Sequence, residues 1–152
     1  MAIAYELGTS TAAALTGAAY IELIAVTRRM KVREIGVFSQ AATAAAKTGI
    51  GRPAAQGITP TTPILGQPQD PADIAGTGET AIAWGTPPTA PTSATGIFRQ
   101  FDFAATAGSG VVFTWPADGE LVIPIINVKS LVLWNFGAGT GPLMDFYAVW
   151  SE

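Results

Sequence analysis

The chain has 152 residues and a net charge of −3; only 12% of its residues are charged, whereas 49% are hydrophobic. It contains neither cysteine nor histidine, which excludes disulfides, thiolate nucleophiles, and the commonest general base and transition-metal ligand. The length fits one domain, 1–152, for which we expect no cofactor and no metal site. So little charge is typical of a surface that is partly covered by partner proteins.

Short stretches of apolar residues between clusters of glycine and proline predict an all-β fold. Residues 1–17 are expected to form an extended N-terminal segment, and residues 41–47 a turn or loop. The predicted strands are residues 20–27, 31–39, 81–84, 97–103, 111–115, 120–123, 130–136 and 143–150. No helical pattern alternates with these strands, so the sequence predicts an antiparallel β-sandwich of jelly-roll type.

The strand predicted at residues 31–39 changes its alternation part-way along. Val32 lies opposite the basic residues, whereas Ile35 and Val37 fall on the same side as those residues. Gly36 lies inside this break, which either a β-bulge or a change from exposed to buried surroundings would explain.

Residues 49–80 are rich in proline and glycine, which excludes a long central strand or helix there. They form either a disordered linker or an arm that runs along a surface. Four apolar side chains favour the arm, because they can anchor it: Ile58, Ile64, Leu65 and Ile74. Fixing a backbone costs about 1–2 kcal/mol per residue, so we expect the arm to be ordered only when it is bound.

The last two predicted strands, which we expect to pair, carry apolar residues on both faces. A sandwich buries only one face of each sheet, so the arm or another subunit must cover the second face. Five aromatic residues are predicted to serve in packing or in the contact between copies of a homo-oligomer that is expected to be a trimer: Trp134, Phe136, Phe146, Tyr147 and Trp150.

Arg28 and the cations that follow it form a basic ridge. The ridge can protect a strand edge, contact an acidic partner or bind nucleic acid. Protection of a strand edge is the simplest of these roles. If the ridge makes a contact, we expect an acidic partner protein to meet Arg29, Lys31 and Arg33, and since the chain is mildly acidic overall we expect no nucleic acid. No stretch is long enough to span a bilayer, so we expect no membrane contact.

Two further sequence patterns do not indicate a binding or catalytic site. Gly49-x-Gly51-x-x-Ala54 has the letters of a dinucleotide fingerprint but lacks the strand before it and the helix after it. The close carboxylates Asp118 and Glu120 are better explained by a turn at Asp118-Gly119 than by acid–base catalysis. No catalytic residue is therefore assigned.

Three segments, RRMKVREIGVFS, GIGRPAAQGITPTTPILGQPQDPAD and SLVLWNFGAGTGPLMDFYAVW, resemble small virion structural proteins of tailed phages. The resemblance implies a jelly-roll sandwich on the particle surface, often trimeric and without catalytic residues. It leads us to expect a non-enzymatic capsid decoration (cement) protein that is made in the host cytoplasm and bound to the major capsid protein. The alternatives are a tail or head-fibre adhesin that binds a host-surface glycan, and an enzyme with a carboxylate pair.

Overall fold

A computed structural model describes residues 2–41, 46–104, 106–125 and 129–152, which form fourteen strands and contain no helix. The strands are β1 Ala4–Ser10, β2 Ala19–Ala25, β3 Met30–Ala41, β4 Ala46–Gly51, β5 Ile58–Pro60, β6 Ile64–Leu65, β7 Gln67–Pro68, β8 Gly78–Ala81, β9 Trp84–Thr86, β10 Ile97–Phe103, β11 Gly110–Thr114, β12 Leu121–Ile123, β13 Leu131–Asn135 and β14 Leu143–Ser151. The described residues hold no helix that is long and apolar enough to cross a membrane.

The strands form two antiparallel sheets that pack face to face. The front sheet has the order β11-β3-β14-β1-β7, with β12 also paired to β3, and the back sheet has the order β10-β4-β13-β2-β8-β6. Eight strands make the frame, because β1, β3, β11 and β14 in front face β2, β4, β10 and β13 behind. This interleaved order is that of a jelly roll, so the predicted antiparallel jelly-roll sandwich is confirmed.

The core lies between the two sheets and is built from alternate residues of each central strand. Ile35 and Phe146 of the front sheet are 1% and 3% exposed, and Leu131 and Leu133 of the back sheet are 1% and 2% exposed. Burying side chains of this size stabilises the fold by about 1.5–3 kcal/mol each. The chain therefore needs no disulfide to hold its sheets together.

Strand β3 contains the predicted bulge, though at Arg33 rather than at Gly36. Its register against β14 shifts where Val149 and Trp150 face Glu34 and Val32. The extra residue lets Val32 and Ile35 both enter the core, which strict alternation would forbid. The bulge also turns the Arg33 side chain toward solvent, where it is half exposed.

The predicted pairing of the last two strands is wrong. Strand β13 lies in the back sheet between β4 and β2, whereas β14 lies in the front sheet between β3 and β1. The glycine- and proline-rich loop between them crosses from one sheet to the other, as jelly-roll connections do. The two strands therefore face each other through the core instead of sharing hydrogen bonds.

Strand β1 lies where the sequence predicts only an extended N-terminal segment, residues 1–17. Residues 4–10 pair along their whole length with β14, and Tyr5 and Leu7 point into the core. The two buried residues alternate with polar or small ones, which is the pattern of a sheet with one covered face.

Two other predicted boundaries move as well. Strand β4 begins at Ala46 inside the loop predicted for residues 41–47, of which 42–45 lie outside the described residues. The strand predicted at 81–84 is divided into the end of β8 and the start of β9.

Residues 52–96 form a long insertion between β4 and β10, and the predicted arm makes up most of it. Strands β5 and β9 pair with each other, while β6 adds to β8 in the back sheet and β7 adds to β1 in the front sheet. Because Gly49 and Gly51 already belong to β4, the insertion begins after the boundary of 49 that the sequence suggests.

The insertion covers the outer side of the back sheet. Gly57 and Trp84 bond to Glu22 on that side, and Pro91 lies over Gly51. The outward residues of β13, including Trp134, are buried as well. The second apolar face of β13 is thus buried within the chain itself, so of the two covers that the sequence left open, the arm or another subunit, this strand does not require the second.

The four apolar residues expected to anchor the arm do not do so. Ile58 is 62% exposed, Ile74 is 53% exposed, and Ile64 and Leu65 are 38% and 47% exposed. The insertion is held instead by strand pairing, by hydrogen bonds to buried carboxylates, and by glycines that let its backbone approach core aromatics. One such glycine is Gly66, which lies against the ring of Trp150. These four apolar side chains of the arm therefore keep surface that is exposed to solvent.

Candidate interaction surfaces

The basic ridge forms one wall of an open groove of about 490 Å³, which we call the basic groove. Arg28 and Arg29 come from the loop between β2 and β3, and Lys31 and Arg33 come from the start of β3. All three sequence-predicted contact residues (Arg29, Lys31 and Arg33) thus line one surface, together with Arg28. Exposed Ile125 adds an apolar wall.

Two carboxylates reduce the net positive charge of this groove. Glu120 lies 3.6 Å from Arg33, and Glu152 lines the groove at the end of the chain. A hydrogen bond from its own backbone amide, together with Lys31 and Arg33, lowers the pKa of Glu120, so it is ionised at neutral pH. Arg33 is half exposed, so solvent screens its pair with Glu120, although the Glu120 side chain is only 7% exposed. Among the described residues, Arg28, Arg29 and Lys31 make no ion pair of this kind.

The outer side of the front sheet carries aromatic rings that lie flat across glycines of the neighbouring strand. A Cβ added at Gly36 would collide with the ring of Tyr147, and one added at Gly110 would collide with the ring of Phe38. The two rings are stacked, with centroids 6.3 Å apart and planes at 15°. The insertion covers the back sheet, whereas these rings remain half exposed.

Beside Tyr147 the same face forms an open, polar pocket of about 570 Å³, which we call the Tyr147 pocket. Glu6 and Glu34 face Val149 from the strands on either side. Two strand spacings place their Cα atoms about 10 Å apart. Trp115 also lines the pocket, and Arg99 lies 6.0 Å from the centre of its ring.

One hydrogen bond fixes the centre of this pocket. The hydroxyl of Tyr147 donates to Glu34 Oε1 over 2.6 Å. That bond, with burial and the charges of Glu34 and Glu6, raises the pKa of Tyr147 to about 12. The phenol therefore keeps its proton and its position throughout the physiological range, and Glu34 is held with its carboxylate at the pocket surface.

Glu22 is a buried carboxylate that joins the back sheet to the insertion. It is 0% exposed and accepts hydrogen bonds from Gly57 N, from Trp84 Nε1 over 2.8 Å and from Ser130 Oγ. Burial raises the pKa of its carboxyl, which the three donors partly offset. Glu22 thus replaces the expected apolar anchors as the link between the arm and the sandwich.

The five aromatic residues predicted to pack between copies divide into two groups. Trp134, Phe146 and Trp150 are 4%, 3% and 0% exposed, so their side chains pack within the chain. Phe136 and Tyr147 are half buried and keep surface that a partner or ligand can reach. Only these two residues can contribute directly to an interface without unfolding the sandwich.

Sequence reasoning missed both Glu22 and the Tyr147 pocket. A signal for Glu22 was present, because a carboxylate inside an otherwise apolar strand must find donors when it is buried. The pocket left no such signal, since it joins residues from β1, β3, β11, β14 and the insertion that lie far apart in the chain.

The described residues include no cluster of three or more acidic side chains that could hold a metal ion. Gly49 and Gly51 lie within β4 and their added Cβ atoms would meet the chain itself, so this stretch does not form a phosphate-binding turn before a helix. Asp118 has a φ of 69° and occupies the predicted turn before β12.

No protein-family model and no curated protein sequence matches the chain. Among solved structures, the chain is similar to the X-ray structure of tomato aspermy virus, with 8% identity, a TM-score of 0.42, and coverage of 97% of this chain and 76% of that one. The chain is also similar to the tobacco streak virus coat protein dimer, with 10% identity, a TM-score of 0.37, and coverage of 97% of this chain and 85% of that one. A third similar structure is that of the SPBc2 prophage-derived protein YomS, with 8% identity, a TM-score of 0.33, and coverage of 100% of this chain and 97% of that one. Identities and TM-scores this low do not indicate a function for this chain.

Proposed function

We propose that the protein is a non-enzymatic virion structural protein: a capsid decoration protein of a tailed phage that binds the major capsid protein as a homotrimer. Its action is adhesive. A rigid sandwich holds outward-facing side chains in place, and those side chains contact sister copies and the shell. Binding to the assembled shell and not to free subunits stabilises the shell by mass action.

The observation that carries this proposal is the exposure of the apolar side chains of the insertion. Four of the nine large apolar side chains that are exposed among the described residues lie in it: Ile58, Ile64, Leu65 and Ile74. The backbone beneath them is fixed by Glu22 and by the pairing of β6 with β8. An ordered backbone that presents apolar groups to solvent is suited to contact with another protein, because little entropy is lost on binding.

The basic groove supplies the polar part of the proposed contact. Arg29, Lys31 and Arg33 would meet an acidic surface of the major capsid protein. Charged groups at the rim of an interface mainly set the rate and orientation of association. We therefore assign tightness to the apolar side chains of the insertion and orientation to the basic groove.

The proposal is tested by mixing the purified chain with tail-free shells of its own phage, both expanded and unexpanded, and separating bound from free protein by sedimentation. We expect binding to expanded shells and not to unexpanded ones. Failure to bind either form, or retention on isolated tails alone, would contradict a decoration role and favour the adhesin alternative.

Two variants separate the two kinds of contact. Ile64→Ser/Leu65→Ser should weaken shell binding at every salt concentration, whereas Arg29→Glu/Lys31→Glu should slow association mainly at low salt. The matched control is Val112→Ser, which removes an apolar side chain that is 45% exposed on the front sheet. Equal loss of binding in the control would show that the insertion has no special part.

The oligomer and the absence of catalysis are tested separately. Sedimentation velocity at micromolar concentration should show a trimer that persists in high salt, since apolar contacts are not screened; a clean monomer would contradict the trimer. Incubation with purified cell-wall glycans should yield no cleavage. Cleavage that is lost in Glu34→Gln would overturn the non-enzymatic assignment, because Glu34 and Glu6 are the carboxylates of the one polar pocket on the front sheet described above.

A further inference from the structure

We infer that the Tyr147 pocket on the front sheet is a binding site for a short oligosaccharide of neutral or amino sugars. The inference does not depend on where the protein sits on a particle, since the pocket is separate from the basic groove except for Arg33, which lines both. It also needs none of the exposed side chains of the insertion that the decoration role uses.

The first requirement of a sugar site is a flat apolar surface for the C–H face of a pyranose ring. Tyr147 provides one, because its ring lies across Gly36 and is only partly buried. Trp115 lines the same pocket. Rings of this kind present an apolar face together with a polar edge, which suits a ligand that is itself apolar on its face and polar at its rim.

The second requirement is a set of polar groups fixed around that surface. Glu6 and Glu34 place carboxylates on two sides, and Gln69 and Thr114 add an amide and a hydroxyl. Carboxylates accept hydrogen bonds from sugar hydroxyls, and amides and hydroxyls both donate and accept. The bond from Tyr147 to Glu34 holds the central carboxylate in place, so a ligand meets a preorganised acceptor.

The size and charge of the pocket define the class of sugar. A volume of about 570 Å³ is within the usual range of small-ligand sites, about 300–1,000 Å³. Glu6 and Glu34 outnumber the single cation, Arg33, among the residues that line it. Neutral hydroxyls and ammonium groups are compatible with this field, whereas the carboxylates of uronic acids would be repelled.

A second copy of the chain fits this pocket less well than a sugar does. The centre of a protein–protein interface is depleted of charged residues, yet Glu6, Arg33 and Glu34 surround Tyr147. A flat protein surface would strip water from these charges without replacing each hydrogen bond. A ring of hydroxyl groups can replace those bonds one by one.

The test is a titration of the isotopically labelled chain with four defined probes: the hexamers of glucose (maltohexaose), N-acetylglucosamine and glucosamine, and a galacturonic acid trimer. NMR shifts and tryptophan fluorescence report binding, and Trp115 is an internal probe. We expect saturable shifts with at least one neutral or amino sugar, centred on Glu6, Glu34 and Tyr147, and no response there to the acidic trimer.

Three variants locate the site. Tyr147→Ala and Glu34→Gln should each weaken binding by about tenfold or more, since each removes a central contact, and Tyr147→Phe should weaken it less. The matched control is Asp145→Asn, a neutralised carboxylate on the same face of β14 that does not line the pocket. It should change affinity by less than about twofold. Urea denaturation of each variant confirms that it is folded.

Three results would overturn the inference. The first is the absence of saturable binding by any neutral or amino sugar up to about 10 mM, a concentration at which even weak sites with millimolar Kd are filled. The second is binding that is unchanged in both Tyr147→Ala and Glu34→Gln. The third is self-association in sedimentation that these same two substitutions abolish, which would make a second copy the occupant of the pocket.

Discussion

The outer sides of the two sheets differ, although their central strands look alike in sequence. Strand β13 of the back sheet and strand β14 of the front sheet both carry apolar residues on both of their faces. On the back sheet the outward Trp134 is only 4% exposed, whereas on the front sheet the outward Tyr147 is half-buried over a glycine. An apolar outward face therefore predicts that something covers the strand but does not reveal whether the cover is the chain itself or a ligand.

This difference shows where function can reside in the molecule. The covered side is a second, smaller core, in which Glu22 organises the polar contacts of the insertion. The open side retains rings and carboxylates that are fixed by strand pairing but not sealed from solvent. Substitutions on the covered side should therefore change stability, and substitutions on the open side should change binding.

The largest expected effect comes from exchanging one outward aromatic on each sheet for alanine. Trp134→Ala should reduce the free energy of unfolding by about 3–5 kcal/mol, because it leaves a cavity in a buried site. Phe38→Ala should cost no more than about 1.5 kcal/mol, because its ring is half exposed already. Urea denaturation measures both. Equal losses would show that the two outer faces do not differ as described.

A further variant strengthens this comparison. Trp134→Glu places a charge at a position that is only 4% exposed and should prevent folding of the sandwich altogether. If Trp134→Glu folds and assembles like the wild type, Trp134 does not lie in a buried site.

Removal of the Glu22 side chain should have the next largest effect. Glu22→Ala leaves the donors of Gly57, Trp84 and Ser130 without their acceptor, and we expect a loss of about 2–3 kcal/mol. The control is Glu152→Ala, which removes a carboxylate that holds Thr77 and Gly78 at a less buried position and should cost about 1 kcal/mol. Limited proteolysis should cut Glu22→Ala faster within residues 52–96. Unchanged cleavage would show that Glu22 does not hold the insertion.

Two glycines provide a finer comparison, because each lies beneath an aromatic ring. Gly66→Ala would force a methyl group against Trp150, which is 0% exposed and cannot move, and should cost about 1–3 kcal/mol. Gly36→Ala would meet Tyr147, whose half-exposed ring can swing outward, and should cost less while it weakens sugar binding. Thermal unfolding and the sugar titration distinguish the two, and the reverse order of stability would contradict the account of the open face.

The smallest expected effect is a difference in pH dependence. Burial raises the pKa of Glu22 above its ordinary 4.5, so the folded state holds this proton to a higher pH than the unfolded state does. The stability that the protonated form contributes is complete below about pH 4.5 and is lost as pH rises through the folded-state pKa. Tyr147 does not contribute to the pH dependence of stability in this pH range, because its pKa is raised to about 12.

Glu22→Gln is the variant that isolates this dependence. The stability of the wild type relative to Glu22→Gln should fall as the pH is raised from about 4.5 toward neutrality, as measured by urea midpoints at each pH. A difference that stays constant across the range would mean that Glu22 titrates alike in the folded and unfolded states.

Much of the frame could be predicted from the chain alone. The alternation in residues 97–103 coincides with β10, and Asp118-Gly119 lies at a turn, because both depend on neighbours close in sequence. The break around Gly36 left a bulge or a change from exposed to buried surroundings as explanations, and the register of β3 against β14 shows a bulge nearby, at Arg33. Strand partners were beyond reach, as β13 and β14 show, because either sheet can accept an apolar strand.

The candidate sites were predictable to very different degrees. The basic groove was predictable, because three of its cations are close together in sequence: Arg29, Lys31 and Arg33. The Tyr147 pocket joins Glu6, Glu34 and Trp115 from strands that only the sheet order brings side by side. No local pattern encodes such a site.

The sequence by itself determined an all-β sandwich, its turns, and the scarcity of charge, because alternation and glycine or proline act within a few residues. Only the tertiary structure decided which apolar faces are covered. That outcome depends on where the insertion folds back, and Glu22 and Gly66 fix it through contacts across the chain. Covering one face and leaving the other open is a property of long-range packing, which no stretch of residues records alone.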